Sequence, residues 1–241
     1  MKNKKGNEST NIEMIAFDAD DTLWYAEKYY IQAQEELHKL LDQYAGYETI
    51  EALMLETEAR NVPVYGYGIK GFVISMIEVA IHVSDSSVNG ETIRKILDIG
   101  RNMLAEEVSL FEGVPETLNA ISDQYRMMVI TKGDYHDQMS KVARSGLAHL
   151  FEIIEVVHEK TTATYARILE KYRLDPSRFI MVGNSLRSDI LPVLELGGTT
   201  IHIPAETTWA LETVPDFDDT SAGYYPITRF SQLPGLLSDI H

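Results

Sequence analysis

The feature that most constrains this 241-residue chain is a change of pattern near Phe111. Downstream of it, short apolar runs alternate with segments of helical periodicity. The spacing predicts a helix over 115–122, a strand over 126–131 and a helix over 135–145 stopped by Gly146. A strand over 151–157, a helix over 161–172 and a strand over 179–182 follow. A helix over 189–196, closed by Gly197-Gly198, leads to a last core strand over 199–203. The stretch 216–225 reads as loop, and 231–237 as a short terminal helix. Alternation of this kind is the signature of an α/β fold, a doubly wound parallel sheet with helices on both faces.

Upstream, one short apolar run over 13–17 ends in Asp18-Ala19-Asp20-Asp21 and reads as a buried strand. Helical periodicity then occupies most of 25–107. Its clearest stretch places Ile69, Phe72, Val73, Met76, Ile77, Ala80 and Ile81 at i, i+3, i+4 spacing. Helices are also expected over 26–41, over 49–60 and around Ile93–Leu104, with Pro63 and Asn89-Gly90 as punctuation between them. If the first run belongs to the same sheet as the later strands, the helices are an insertion. The expected organisation is therefore a loose polar tail over 1–11, a core over 12–25 and 107–241, and an all-helical cap over 26–106. Ligands of such sheets bind beyond the carboxyl ends of the strands, where an inserted bundle would roof the pocket.

Composition narrows the function. No cysteine is present, which removes disulfide, thiolate and zinc-ribbon chemistry and fits a reducing, cytoplasmic setting. No apolar run is long enough to span a bilayer, and no cationic, apolar leader opens the chain, so no membrane association is expected. The formal charge of −16 opposes nucleic-acid binding as the main task. It also means that an anionic substrate needs a local cation.

The chemistry concentrates at predicted strand ends. Residues i and i+2 of a strand point the same way, so Asp18 and Asp20 can converge on one reacting atom. A carboxylate can attack phosphorus, and a second, protonated one can supply the leaving group's proton. The alternative is an acidic turn capped by Thr22. Thr131-Lys132-Gly133-Asp134 offers a hydroxyl, a freed backbone and a cation suited to a phosphate nest, or else a routine Gly-Asp turn. Lys160 follows the strand over 151–157, where it would neutralise a phosphate or sit as a solvated surface group. Gly183-Asn184-Ser185 and Asp189 offer hard oxygen ligands of the kind magnesium prefers, or a helix start capped by Ser185 or Ser188.

Taken in chain order, these stretches resemble the haloacid dehalogenase-like superfamily. The matching segments are Ile15-Ala16-Phe17-Asp18-Ala19-Asp20-Asp21-Thr22-Leu23, Val129-Ile130-Thr131-Lys132-Gly133, Lys160, and Val182-Gly183-Asn184-Ser185-Leu186-Arg187-Ser188-Asp189-Ile190. The resemblance implies a Rossmann-like core with a helical cap inserted after the first motif. It implies Asp18 as nucleophile, Asp20 as general acid and base, Thr131 with Lys132-Gly133 as phosphoryl cradle, and Lys160 as bridge between phosphate and nucleophile. Mg2+ would be held by Asp18, by the backbone carbonyl of Asp20 and by an acid of the last motif. Asn184 stands where aspartate is common, so either its amide oxygen ligates as a neutral donor or Asp189 takes more of that role.

The expected activity is magnesium-dependent hydrolysis of a small phosphorylated metabolite through an aspartyl-phosphate. Asp20 argues against a dehalogenase, because a departing halide needs no proton whereas an alkoxide does. A phosphomutase would use the same acid pair, and a non-catalytic phosphate-binding scaffold finds its only support in Asn184. Tyr25, Tyr29 and Tyr30 are expected to pack the junction between core and cap. Arg60, Tyr65, Tyr67 and Lys70 flank Tyr65-Gly66-Tyr67-Gly68, taken as an interhelical connection. His136, His149 and His158 share no metal spacing, and Asp216, Asp218 and Asp219 read as a solvated acidic loop.

Overall fold

The computed structural model describes residues 12–215, 217 and 219–240. The expected tail over 1–11, and Asp216 and Asp218 of the acidic loop, lie outside the described residues. Six parallel strands form one sheet in the order β3-β2-β1-β4-β5-β6. They are β1 (Met14–Phe17), β2 (Met127–Lys132), β3 (Ile153–Val157), β4 (Phe179–Gly183), β5 (Thr199–His202) and β6 (Tyr224–Pro226). β1 pairs with β2 on one side and β4 on the other, Phe17 standing opposite Val129 and Val182.

The alternation of side chains along β1 divides the core into two layers. Ile15 and Phe17 face a cluster with Val129, Val182 and the inner side of α5 (Val114–Ile121). Met14 and Ala16 face Met128, Ile130, Met181 and Tyr165 of α7 (Thr162–Tyr172) on the other side. All four β1 residues are fully buried, and so the run has no polar alternation of its own. α9 (Leu233–Asp239) closes the first layer with Leu233 and Leu237.

Between β1 and β2 the chain forms α1 (Glu27–Leu41), α2 (Tyr47–Tyr65), α3 (Ile69–Val83) and α4 (Gly90–Ala105). These helices bury a separate apolar cluster, with Leu37 and Leu41 against Met54, Phe72, Met76 and Ile96. Asn89 caps α4 by accepting the Thr92 N–H at 2.9 Å. No helix among the described residues is long and apolar enough to cross a membrane.

Three local expectations differ. Pro63 lies within the last turn of α2 rather than between helices. It and Ala59, whose carbonyl it deprives of a partner, are exposed, so water can fill the missing bond. The helix expected over 189–196 begins earlier, as a wide π-helical turn over Leu186–Ile190 that continues into α8 (Leu191–Leu194). Pro192, lacking an N–H, sits in the first turn of α8, where that donor is not needed. The stretch read as loop contains β6, three half-buried or exposed edge residues too few to carry a period.

Candidate active site

β1 and β4 run side by side, and the chain turns away from β1 with its first acid. The Asp18 N–H donates to the Val182 carbonyl at 2.9 Å, extending the ladder one residue and fixing Asp18 at the sheet's carboxyl edge. The next residues form a tight turn in which Asp21 takes a left-handed backbone, φ 59°. Its carboxylate accepts the N–H groups of Ala26 at 2.9 Å and Glu27 at 3.0 Å, which seeds α1. The Thr22 hydroxyl lies 3.1 Å from both Asp18 Oδ2 and Asn184 Oδ1, so the turn is tied to the loop after β4.

Lys160 is 3% exposed and stands between two carboxylates. Its Nζ pairs with Asp18 Oδ1 and, at 2.6 Å, with Asp189 Oδ1. Asp189 is fully buried, and its Oδ2 accepts the Ser185 N–H at 3.0 Å. Gly183 is required here, because a Cβ at that position would lie 2.3 Å from Asp189 Oδ2. Burial pushes Asp18 up to about 7, with Lys160 opposing and Asp189 adding to the rise. Burial works against the Lys160 ammonium, but the two aspartates outweigh it and hold its pKa above the ordinary lysine range.

Asp20 is held by three donors. The Trp24 indole reaches Oδ1 at 2.7 Å, Lys141 Nζ lies 3.1 and 3.0 Å from the two oxygens, and Gln138 Nε2 lies 3.1 Å from Oδ2. Burial alone would raise its pKa; Lys141 and the other donors reverse this and keep it below the usual carboxylate value. Thr131 is buried at the end of β2 and accepts from Gln138 at 2.6 Å. Gly133 follows with φ 134°, a backbone that side chains rarely adopt. Lys132 pairs with Glu212, stands 3.2 Å from Ser188 Oγ and lies 4.2 Å above the Tyr67 ring. The other Glu212 oxygen accepts Ser185 Oγ at 2.5 Å and Ser188 Oγ at 2.6 Å.

The structure thus brings Asp18, Asp20, Thr131, Lys132, Gly133, Lys160, Asn184 and Asp189 to one cavity of about 1200 Å³, its open mouth included. Residues of the inserted helices α1, α2 and α3 also line it. The Tyr65–Gly68 turn is more than a connection: Gly66, Tyr67 and Gly68 line the cavity, and Lys70 beside them pairs with Asp134 at 2.9 Å. Tyr25 packs on Phe111 at 4.0 Å between ring centroids, and the Tyr29 hydroxyl reaches Glu107 O. Tyr30 both packs on Phe72 and lines the cavity.

Lys141, Gln138, Trp24 and Glu212 escaped the sequence reading. A signal existed for two of them. Asp134 caps α6 (Tyr135–Arg144), accepting the Asp137 N–H at 3.0 Å, and Gln138 and Lys141 follow at i+4 and i+7, on the same face. Nothing near Glu212 in the sequence announces its partner.

The donor set fits a magnesium ion. Asp18, Asn184 and Asp189 line the cavity with hard oxygens, and Asp18 and Asn184 share the Thr22 hydroxyl. Mg2+ is typically bound through one or two carboxylates with waters completing its octahedron. Among the described residues no three His, Cys, Asp or Glu side chains gather as a closed metal cage.

The chain is similar to known proteins. The family model described as haloacid dehalogenase-like hydrolase matches residues 12–197. A solved haloacid dehalogenase-like family hydrolase from Xanthomonas campestris is 36% identical with a TM-score of 0.86, covering 98% of this chain and 94% of that one. The pyrimidine 5'-nucleotidase YjjG of Escherichia coli (strain K12) is 30% identical over 110 residues, 43% of this chain and 49% of that protein. The glyceraldehyde 3-phosphate phosphatase of Methanothermobacter thermautotrophicus is 31% identical over 111 residues, 42% and 49% of the respective chains. The match thus spans about half the length of these curated relatives.

Proposed function

Because the chain belongs to the haloacid dehalogenase-like hydrolase family, we propose that this hydrolase is a magnesium-dependent phosphatase acting on a small phosphorylated metabolite. The observation that carries the reading is the pair Asp18 and Asp20 on one cavity, the first bound to Lys160 and the second to Lys141. The named activities of the curated relatives, a pyrimidine 5'-nucleotidase and a glyceraldehyde 3-phosphate phosphatase, support the same class.

In this reading Asp18 attacks phosphorus and forms an aspartyl-phosphate, while the bond to the leaving oxygen breaks. Lys160, between Asp18 and Asp189, opposes the effect of burial by favouring the ionised nucleophile and balances the incoming phosphoryl charge. Thr131 and the backbone at Lys132-Gly133 receive the phosphoryl oxygens. Asp20, held ionised in the substrate-free chain, takes up a proton before passing it to the leaving oxygen. That proton comes from solvent, since the Lys141 ammonium 3.0 Å away is held above the ordinary lysine range and keeps its own. In the second half Asp20 withdraws a proton from water, which hydrolyses the phospho-aspartate. Asp18, the Asp20 carbonyl, Asn184 and Asp189 would hold Mg2+, which supplies charge neutralisation for the transferring group. The helices of residues 26–106 act as a cap that sets the leaving-group pocket and excludes water. The absence of cysteine supports a cytoplasmic setting.

The test is release of phosphate from a generic aryl phosphate, with and without magnesium, by the wild type and Asp18→Asn. Metal-dependent turnover in the wild type and none in the variant is expected. Activity retained by Asp18→Asn overturns the mechanism. Silence of the wild type across a broad phosphate panel favours a phosphate-binding scaffold, and metal-independent halide release from short haloacids favours a dehalogenase.

A further inference from the structure

The carboxylates that line the cavity are unevenly paired. At the sheet edge stand three lysines, each committed to a carboxylate: Lys160 to Asp18 and Asp189, Lys141 to Asp20, Lys132 to Glu212. The same cavity is also lined by Glu27 and Tyr30 of α1, Glu58 and Asn61 of α2, Phe72 of α3, and Trp209 from the segment after β5. No lysine, arginine or histidine of the described residues pairs with Glu27 or Glu58. Arg60 and Asn61, next along α2, are both spent on Glu78, at 2.7 and 3.1 Å.

Glu58 is 8% exposed, and its one described partner is the Trp209 indole, a neutral donor. Carboxylates are rarely buried this deeply without a cation. Burial and the neighbouring Glu27 push Glu58 up to about 7, and burial with Asp21 does the same to Glu27. The cavity therefore carries acid groups whose countercharge the protein does not provide. A leaving group bearing a second anion would meet only like charge beside them. Aromatic rings lining the same cavity, Tyr30, Phe72 and Trp209, add the faces that attract organic cations.

We propose that the substrate is a phosphomonoester whose alcohol carries an ammonium group, seated against Glu58 and Trp209 while its phosphoryl group lies at Asp18. This rests on the phosphatase reading and adds to it the charge of the leaving group. Glu58 and Trp209 are then the specificity-determining pair, one from the insertion and one from the core, and neither takes part in the bond changes.

Two matched pairs of esters test it: phosphoethanolamine against 2-hydroxyethyl phosphate, and glucosamine 6-phosphate against glucose 6-phosphate. The ratio of kcat/KM, ammonium ester over neutral partner, is measured for the wild type and for Glu58→Gln. A charge-assisted contact corresponds to a preference of about tenfold or more for at least one pair, and the ratio should fall towards one in the variant. Thermal unfolding establishes that the variant is folded. A neutral ester turned over as well as its ammonium partner in both pairs overturns the inference, as does a preference that survives Glu58→Gln. In either case continued hydrolysis of an aryl phosphate leaves the phosphatase reading standing. If the aryl phosphate is also untouched, both fail together.

Discussion

Replacing the proposed nucleophile should make the protein more stable, with a pH dependence that identifies the cause. Asp18 moves from 3.8 to about 7 on folding, chiefly through burial. The folded state thus binds its proton more tightly than the unfolded chain does. The resulting destabilisation is complete above pH 7, shrinks as pH falls, and vanishes below about 3.8. At about 1.4 kcal/mol per pH unit it amounts to about 4 kcal/mol at pH 7.5. Asp18→Asn removes it and keeps the shape. That shift already includes the Lys160 attraction, and in the variant Asp189 at 2.6 Å still holds the ammonium. The net gain is about 4 kcal/mol at pH 7.5, or roughly 8–16 °C in Tm for a chain of this size. At pH 5 little over one pH unit of the cost remains, and the gain should fall to about 1.7 kcal/mol. Reversible urea unfolding of both proteins in EDTA, at the two pH values, measures the difference. A variant no more stable at pH 7.5, or one whose advantage is as large at pH 5, refutes the reasoning.

Asn184→Asp adds a charge to the proposed metal ligands and should tighten magnesium binding about tenfold; calorimetric titration giving equal or weaker affinity would reject Asn184 as a ligand. Gly183→Ala forces a methyl into the Asp189 carboxylate, 2.3 Å from the position of its Cβ. It should lower kcat at least about tenfold and cost about 1–3 kcal/mol of stability in urea unfolding; an active, unaltered variant would show that Asp189 can move freely. Lys141→Met removes the cation that holds the Asp20 pKa down. That pKa should rise, and the alkaline limb of the kcat/KM profile should move to higher pH; an unmoved limb would mean that Asp20 does not set it.

The local features of the fold were legible because each is a short-range pattern. The apolar run before Asp18, the four helical periodicities and the strand–helix alternation after Phe111 each appear in the structure within a few residues of their expected bounds. β6 escaped because three edge residues carry no period, and Pro63 misled because an exposed last turn tolerates a proline. The side chains at strand ends could be gathered from order alone, since parallel strands deliver all their carboxyl ends to one edge. Which charges neutralise one another could not. Asp20 meets Gln138 and Lys141 from 118 and 121 residues away, and Lys132 meets Glu212 across 80.

The sequence by itself determined the sheet, the insertion and the candidate groups at the strand ends, because hydrophobic period and turn chemistry act over a few residues. Only the tertiary structure decided the protonation landscape of the cavity: an ionised Asp20, a Lys160 shared by two acids, and a Glu58 without a cation. A carboxylate's state depends on its burial and on charges a few ångströms away. Those neighbours come from segments that meet only when the helices fold over the sheet.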